Sequence, residues 1–259
     1  MVTTIVGRTA NRAQTEYDRS INAEFVDRFT GLRCVVAAPN ARPEVWHDYV
    51  DGVRAAYRSW GVDDAFDFAE VATGRSTTLF CAVLDDAGEV VAGHRVQGPY
   101  IAAAQSHALV EWAGQSGQRA LVDAIEDRLA GGLVEVKSAF VSYKGREASA
   151  VANLLSRVSL SLMGLTGSRH MMATAAEHVL RRWEEGGGRV DWTVPPTPYP
   201  DPRYTTRVMF WDWNRMAADA SADLWPTMVT EYEALGGGLW AGSLPLPQVS
   251  ASEFVRIAD

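Results

Sequence analysis

Apolar and polar residues alternate along Leu133-Val-Glu-Val-Lys-Ser-Ala-Phe-Val141 with the period of two that marks a half-buried strand. A single carboxylate, Glu135, stands inside it. The turn Ser142-Tyr-Lys-Gly-Arg-Glu147 leads into residues 148–163, where Val151, Leu154, Leu155, Val158 and Leu162 recur at helical spacing. That spacing predicts a helix with one face packed on a sheet. Residues 169–173 predict a short strand and residues 175–185 a helix, which Gly186-Gly-Gly188 ends because glycine takes left-handed backbone at little cost. Two more strands, 189–194 and 204–213, flank a proline-rich run.

Upstream, Tyr17, Ile21, Phe25 and Phe29 recur every four residues, predicting an amphipathic helix over 15–29 within an N-terminal helical extension, 1–30. Gly31-Leu-Arg-Cys-Val-Val-Ala37 predicts a strand from its β-branched content. Pro43 suits a first helical turn and opens a helix to about Trp60. Residues 62–75 are acidic and loop-like. Residues 77–84 and 89–96 form a hairpin around Asp85-Asp-Ala-Gly88, with glycine where positive φ is cheap. One or two helices fill 102–130, and another falls near 223–235. The mixed order of strands, hairpins and crossovers predicts an α/β (α+β) domain over 31–213, with a central twisted mixed sheet flanked by helices. Residues 214–259 are read as a helix and tail packed on it.

Composition narrows the function. A formal charge of −8 argues against a nucleic-acid binder. No apolar run approaches the ~20 residues of a membrane span, and the first residues lack a signal-peptide core, so the expected location is cytoplasmic. Cys34 and Cys81 lie in predicted strands among Val, Leu and Phe and read as small buried apolar residues. Five scattered histidines with no HExxH pair point away from a metal site. No phosphate-binding GxxxxGK[ST] or GxGxxG occurs, and Gly114-Gln-Ser-Gly117 lacks both the spacing and the strand of a nucleophile elbow. Lys144, Arg146, Arg157, Arg169, Arg181 and Arg182 concentrate positive charge in the central block, either on one shared face or on solvated helix surfaces.

The order of elements and the central block resemble the GNAT superfamily of acyltransferases, and more narrowly its acyl-homoserine-lactone (autoinducer) synthases and long-chain N-acyl amino acid synthases. Arg54, Tyr57 and Trp60 are similar to that branch's first helical region, and Asp63, Asp64 and Asp67 to its acidic cluster. Asp85-Asp-Ala-Gly-Glu-Val-Val-Ala-Gly-His-Arg95 resembles its hairpin, and Val134-Glu-Val136 its Glu-bearing strand. Gly164, Ala173-Thr174 and the Pro…Tyr segment 195–199 match its later landmarks. Where the lactone synthases follow the strand Glu with Ser/Thr-Arg, this chain has Lys137-Ser138, and its phosphate loop is reduced to Lys144-Gly-Arg146.

The resemblance implies transfer of an acyl group, a fatty one in the favoured reading, from an acyl-CoA or acyl-carrier-protein thioester to an amino-acid-like amine. No cofactor is held tightly; the thioester is a co-substrate. Glu135 would take the amine proton and Tyr143 would protonate the leaving thiolate. Backbone near Phe140, Val141 and Ser142 would receive the oxyanion where the strand bulges. Arg54, Trp60, Asp67, Arg95 and Thr174 would bind the acceptor, with Arg95 as a carboxylate fork or as a partner of Asp63, Asp64 or Asp67. Lys144, Gly145, Arg146 and Arg157 would bind the donor or dock its carrier. The late tryptophans would either line an acyl tunnel or build core. Alternatives are a short-chain acetyl-CoA acetyltransferase and a non-catalytic acyl or small-molecule binding module, and the reading admits a homodimer.

Overall fold

The computed structural model describes residues 21–62, 67–238 and 244–246. Eight strands form one mixed sheet: β1 (Asn22–Val26), β2 (Arg33–Ala37), β3 (Leu79–Leu84), β4 (Val90–Gln97), β5 (Leu133–Val141), β6 (His170–Ala176), β7 (Arg189–Val190) and β8 (Thr206–Asp212). Their spatial order is β1-β2-β3-β4-β5-β6-β8-β7. The helices are α1 (Pro43–Trp60), α2 (Phe68–Ala72), α3 (Ala108–Glu111), α4 (Gln118–Leu129), α5 (Gly145–Arg157), α6 (Ser159–Thr166), α7 (Leu180–Glu185), α8 (Met216–Asp219) and α9 (Trp225–Ala234). β5 and β6 run parallel, and α5 and α6 supply the crossover that a parallel pair requires.

One face of the sheet buries a single large apolar cluster. There Cys81, Val96, Val134, Met171 and Trp211 meet Leu154 and Leu155 of α5, Leu162 of α6, and Met228 and Tyr232 of α9. The opposite face carries two separate clusters. α1 and α2 cover Val35, Phe80 and Phe140, whereas α3 and α4 cover Leu133, Met172 and Phe210. A strip of polar side chains crosses the sheet between them.

Several sequence expectations are corrected. Residues 22–26 form strand β1, not a helix; residues 15–20 of that prediction lie outside the described residues. A four-residue apolar spacing is also a multiple of two, so Ile21, Ala23 and Phe25 reach the first cluster equally well from a strand. The acidic loop contains α2, capped by Asp67, whose carboxylate accepts the Glu70 N–H at 3.0 Å. Residues 175–176 extend β6 because they pair with Arg207 and Thr206 of β8, delaying the helix to Leu180. β7 is only two residues long. The continuous stretch Gly145–Thr166 is long and apolar enough to cross a membrane by length and composition, but most of it is buried inside the fold. Cys34 and Cys81 are free and buried with their Sγ atoms 3.4 Å apart, and burial pushes the Cys34 thiol up.

Arg157 is not a docking cation. It lies one helical turn beyond Leu154 on the buried stripe of α5, and its guanidinium is enclosed by carboxylates. Nε and Nη2 donate to Glu231 at 3.0 and 2.8 Å, Nη2 also donates to Asp27, and the Phe29 ring lies 4.9 Å away. This network ties the turn after β1 to α5 and α9. Removing one member of a buried ion cluster leaves charge without compensation. Arg157→Met should therefore lower stability by about 3–5 kcal/mol in urea unfolding. A small stability change with a raised Michaelis constant for the donor would return Arg157 to donor binding.

His94 of β4 is buried beneath the first apolar cluster, with Nε2 3.3 Å from the Leu155 carbonyl. Burial lowers its pKa from 6.5 to about 4, against the opposing pull of that carbonyl. The unfolded chain therefore binds this proton first as pH falls. Stability present above the ordinary value of 6.5 should be lost down to about 4, by up to about 3 kcal/mol. Urea unfolding at pH 7 and 4.5 should show a shallower acid loss in His94→Asn than in the parent; equal losses would exclude this role.

Candidate active site

The site is built on an irregularity in β5. Gly93 of β4 pairs with Phe140 and Arg95 with Lys137, so Ser138 and Ala139 together oppose His94. This is a β-bulge, and Ser138 has φ 57, the one positive φ at a non-glycine among the described residues. Tyr49 of α1 donates from its hydroxyl to the Ser138 carbonyl at 3.0 Å. Its ring lies against Gly93, where a Cβ would come within 2.5 Å of the Cys81 carbonyl oxygen and 2.7 Å of that ring. Arg95 Nε lies 3.4 Å from Ser138 Oγ.

The bulge coincides with a parting of strands. The parallel ladder between β5 and β6 runs from Leu133–His170 to Val136–Ala173 and stops, although β5 continues to Val141 and β6 to Ala176. Beyond Val136, the backbone groups of β5 that would face β6 have no ladder partner there. A strand edge opened in this way can offer a main-chain N–H to a developing oxyanion.

Beside the bulge, a cluster of charges sits on the strip between the two apolar clusters. Glu135 and Lys137 are two residues apart on β5 and so share a face. Glu135 is fully buried. Its Oε2 accepts from Tyr100 Oη at 2.7 Å, Ser106 Oγ at 3.0 Å and the His107 backbone N–H at 3.0 Å. Its Oε1 makes no hydrogen bond and lies 3.6 Å from Lys137 Nζ. Lys137 donates to Glu111 of α3 and lies 3.5 Å from Thr174 Oγ1 on β6. His107 Nδ1 is 3.3 Å from Glu111 Oε1.

The charges perturb one another. Burial alone would raise the Glu111 carboxyl, but the Lys137 ammonium and hydrogen bonds from His107 and Lys137 hold it below its ordinary range. Burial works against the Lys137 ammonium, but Glu111 and then Glu135 more than offset it and raise the pKa. Tyr57 of α1 and Tyr199 of the loop before β8 face the same charges. Burial raises both hydroxyls, with Glu111 pushing the same way and Lys137 against. Burial, then the Glu135 charge, raises Tyr100.

The predicted residues divide between those at the cluster and those elsewhere. Glu135, Arg95, Phe140 and Thr174 lie around the bulge. Arg95 is buried among Ser138, Ser76 and Thr77. Its predicted partners Asp63 and Asp64 lie outside the described residues. Arg54 and Trp60 flank Tyr57 on α1; Arg54 pairs with Asp51 at 3.4 Å and Trp60 sits half exposed beside Tyr57. Asp67 caps α2.

Tyr143 is not brought to Glu135. The extra residue in β5 shifts its alternation, so Val141 and Tyr143 pack toward the first cluster on the opposite face. Eight residues of extended chain also separate Tyr143 from Glu135 by about 25 Å. The bulge itself falls at Ser138–Ala139, two residues before the expected Phe140–Ser142 segment, and Ser142 instead bonds the Val91 carbonyl through both its N–H and Oγ. Lys144, Gly145 and Arg146 are exposed at the start of α5. Of the tryptophans, Trp211 and Trp213 are core, Trp225 is half buried, Trp192 is exposed over Arg207, and Trp240 lies outside the described residues.

The residues sequence reasoning missed are Lys137 as a site group, Glu111, Tyr100, Ser106 and His107; Tyr199 figures there only as the end of the Pro…Tyr segment. Lys137 carried a legible signal, two positions from Glu135 on one strand. The others come from loops and a four-residue helix whose placement depends on long-range contact.

No protein-family model matches the chain. It is 39% identical over 203 residues to Uncharacterized protein Rv1356c of Mycobacterium tuberculosis and to Uncharacterized protein Mb1391c of Mycobacterium bovis, covering 78% of this chain and 77% of each relative. Among solved structures, FeeM, an N-acyl amino acid synthase from uncultured soil microbes, superposes with a TM-score of 0.53 at 14% identity, over 75% of this chain and 97% of that one. The likeness is one of fold. The chain belongs to the family of these mycobacterial proteins and is built on the GNAT acyl-CoA N-acyltransferase fold.

Proposed function

We propose that the protein is an N-acyltransferase that moves an acyl group, a fatty one in the favoured reading, from a thioester to the amine of an amino-acid-like acceptor. The observation that carries this reading is the buried Glu135–Lys137–Glu111 cluster beside a positive-φ bulge where the parallel ladder opens. Amide formation from a thioester needs a proton acceptor for the amine and a donor for the oxyanion. In this reading the amine attacks the carbonyl carbon, backbone N–H at the bulge receives the oxyanion, and Glu135 takes the amine proton. The C–S bond then breaks, and the thiolate leaves to be protonated by water, since Tyr143 lies on the other face.

Arg95, buried among Ser138, Ser76 and Thr77, lies on the acceptor side of the bulge in this reading. The donor enters beside Lys144, Gly145 and Arg146 at the start of α5. Acyl-CoA and acyl-carrier-protein thioesters both present the same pantetheine arm, and the carrier would dock through those exposed cations. The cytoplasm is the proposed place of action.

A panel of acetyl, octanoyl and palmitoyl thioesters, each on coenzyme A and on carrier protein, tests the reading by thiol release against pooled amino acids. Long-chain donors should release thiol, and Glu135→Gln should lower that rate by about 10²–10⁴. Release from acetyl-coenzyme A alone would favour the short-chain alternative, and silence on every donor would sink the enzymatic reading. The bulge gives a second test. Ser138→Gly should keep fold and turnover because glycine accepts positive φ. Ser138→Val should cost about 1–3 kcal/mol in unfolding and lose turnover. Equal behaviour of the two variants would remove the bulge from the mechanism.

A further inference from the structure

The two oxygens of Glu135 are treated very differently by their surroundings. Oε2 is held by three donors: the Tyr100 hydroxyl at 2.7 Å, the Ser106 hydroxyl at 3.0 Å and the His107 backbone N–H at 3.0 Å. Oε1 makes no hydrogen bond among the described residues. We propose that Tyr100 is a positioning residue of the reaction: with Ser106 and the His107 N–H it saturates Oε2, so that Oε1 is the oxygen that takes the acceptor's proton. The inference rests on the acyl-transfer reading above and assigns what that reading leaves open, the oxygen that acts and the side chain that selects it.

The lone pairs decide between the two oxygens. An ionised carboxylate offers about two acceptor sites on each oxygen, so three donors leave Oε2 with none for an incoming N–H. Oε1 keeps both of its own. The Lys137 ammonium does not fill them, since Nζ lies 3.6 Å away and donates instead to Glu111 Oε1. Lys137 is also the residue before the bulge at Ser138 and Ala139. Oε1 is therefore turned toward the end of the strand where the oxyanion would form, and Oε2 toward the loop.

The donors are themselves fixed. All three come from residues 100–107, the connection that follows β4. Its first member bonds β5 directly, through the Tyr100 N–H on the Leu133 carbonyl at 2.8 Å. Gln105 Oε1 ties the connection together by accepting the Ile101 and Ala102 N–H groups at 2.7 and 3.1 Å. Ser106 Oγ accepts the Ala108 N–H at 3.2 Å, which turns its own proton toward Glu135. Tyr100 is buried, and burial followed by the Glu135 charge keeps its phenol protonated and donating. A carboxylate gripped on one oxygen by a preorganised loop holds the other in one direction. The step itself moves one proton. It leaves the acceptor nitrogen as the nitrogen lone pair forms the C–N bond, and it ends on Oε1, giving a neutral carboxyl that still accepts from the loop through Oε2.

Tyr100→Phe keeps the ring and removes one donor. With a long-chain thioester and the most active acceptor of the amino-acid pool, its kcat for thiol release should fall about ten- to a hundredfold, with KM for both substrates unchanged. The same substitution made in Glu135→Gln should cost nothing further, because Tyr100 acts through the carboxylate alone. Ser106→Ala should repeat this pattern with its own donor. An unchanged kcat in Tyr100→Phe, or an equal loss in the Glu135→Gln background, overturns the proposal while leaving acyl transfer in place. A parent that releases thiol from no donor overturns the acyl-transfer reading, and the choice of Oε1 falls with it. The grip is also read without turnover. The side-chain carboxyl ¹³C resonance of Glu135, assigned by its disappearance in Glu135→Gln, should shift in Tyr100→Phe, and an unmoved resonance overturns the contact on which the selection depends.

Discussion

The extra residue in β5 is the constraint on which the site depends. Before it, Leu133, Glu135 and Lys137 share the face that carries the polar strip; after it, Phe140 is returned to that face and Val141 passes to the other. A regular strand would direct Phe140 away from Tyr49, whose ring centroid lies 5.9 Å from its own, and would leave α1 without that contact. A left-handed serine costs about 1–2 kcal/mol. The surroundings hold it there through the Tyr49 hydroxyl on its carbonyl and the Arg95 guanidinium near its Oγ. Gly52 matters for the same reason, since a Cβ there would come within 2.3 Å of the Phe140 ring.

Two buried ion clusters, each with two carboxylates around one cation, lie on opposite faces of the sheet and differ in how they are satisfied. Around Arg157, several charge-assisted hydrogen bonds join Asp27 and Glu231, and Thr30 bonds the remaining Asp27 oxygen through both its N–H and Oγ1. That cluster holds elements together. Around Lys137, Glu111 Oε2 and Glu135 Oε1 are buried and make no hydrogen bond. Burying charge costs several kcal/mol per ion, and incompletely satisfied oxygens add to that cost. A cluster left in this state is a poor way to stabilise a sheet and a suitable way to receive a proton or an ammonium.

Much of the frame was legible because its signals are local. β5 and α1 fall on their predicted residues, and the hairpin strands β3 and β4 lie on either side of the predicted turn Asp85-Asp-Ala-Gly88. Glu135 stood out as a carboxylate in an apolar strand. The errors arise where local pattern and long-range contact disagree. β1 was hidden because periods of two and four coincide over a few residues, and the extension of β6 depends on pairing with a strand about thirty positions later. Tyr143 was misplaced by the bulge, which no alternation pattern announces in Lys-Ser-Ala-Phe. Arg157 reads as a surface cation until Asp27 and Glu231, 130 and 74 positions away, are folded onto it.

Enclosing Arg157 also changes the balance on the donor side. The cations that remain around the first turn of α5 are Lys144 and Arg146, both exposed, and Arg182, whose Nη1 donates to the Ser149 carbonyl at 3.1 Å. Charges in solvent attract over roughly a Debye length of 8–10 Å and set encounter and orientation more than tight grip. Glu147 stands in the same turn, and Asp85 and Asp86 act with it on Tyr143, so the exposed charge at this helix start is mixed rather than uniformly positive. The two faces of the sheet come together at the bulge, where the backbone of Ser138 and Ala139 lies between the first apolar cluster and the polar strip.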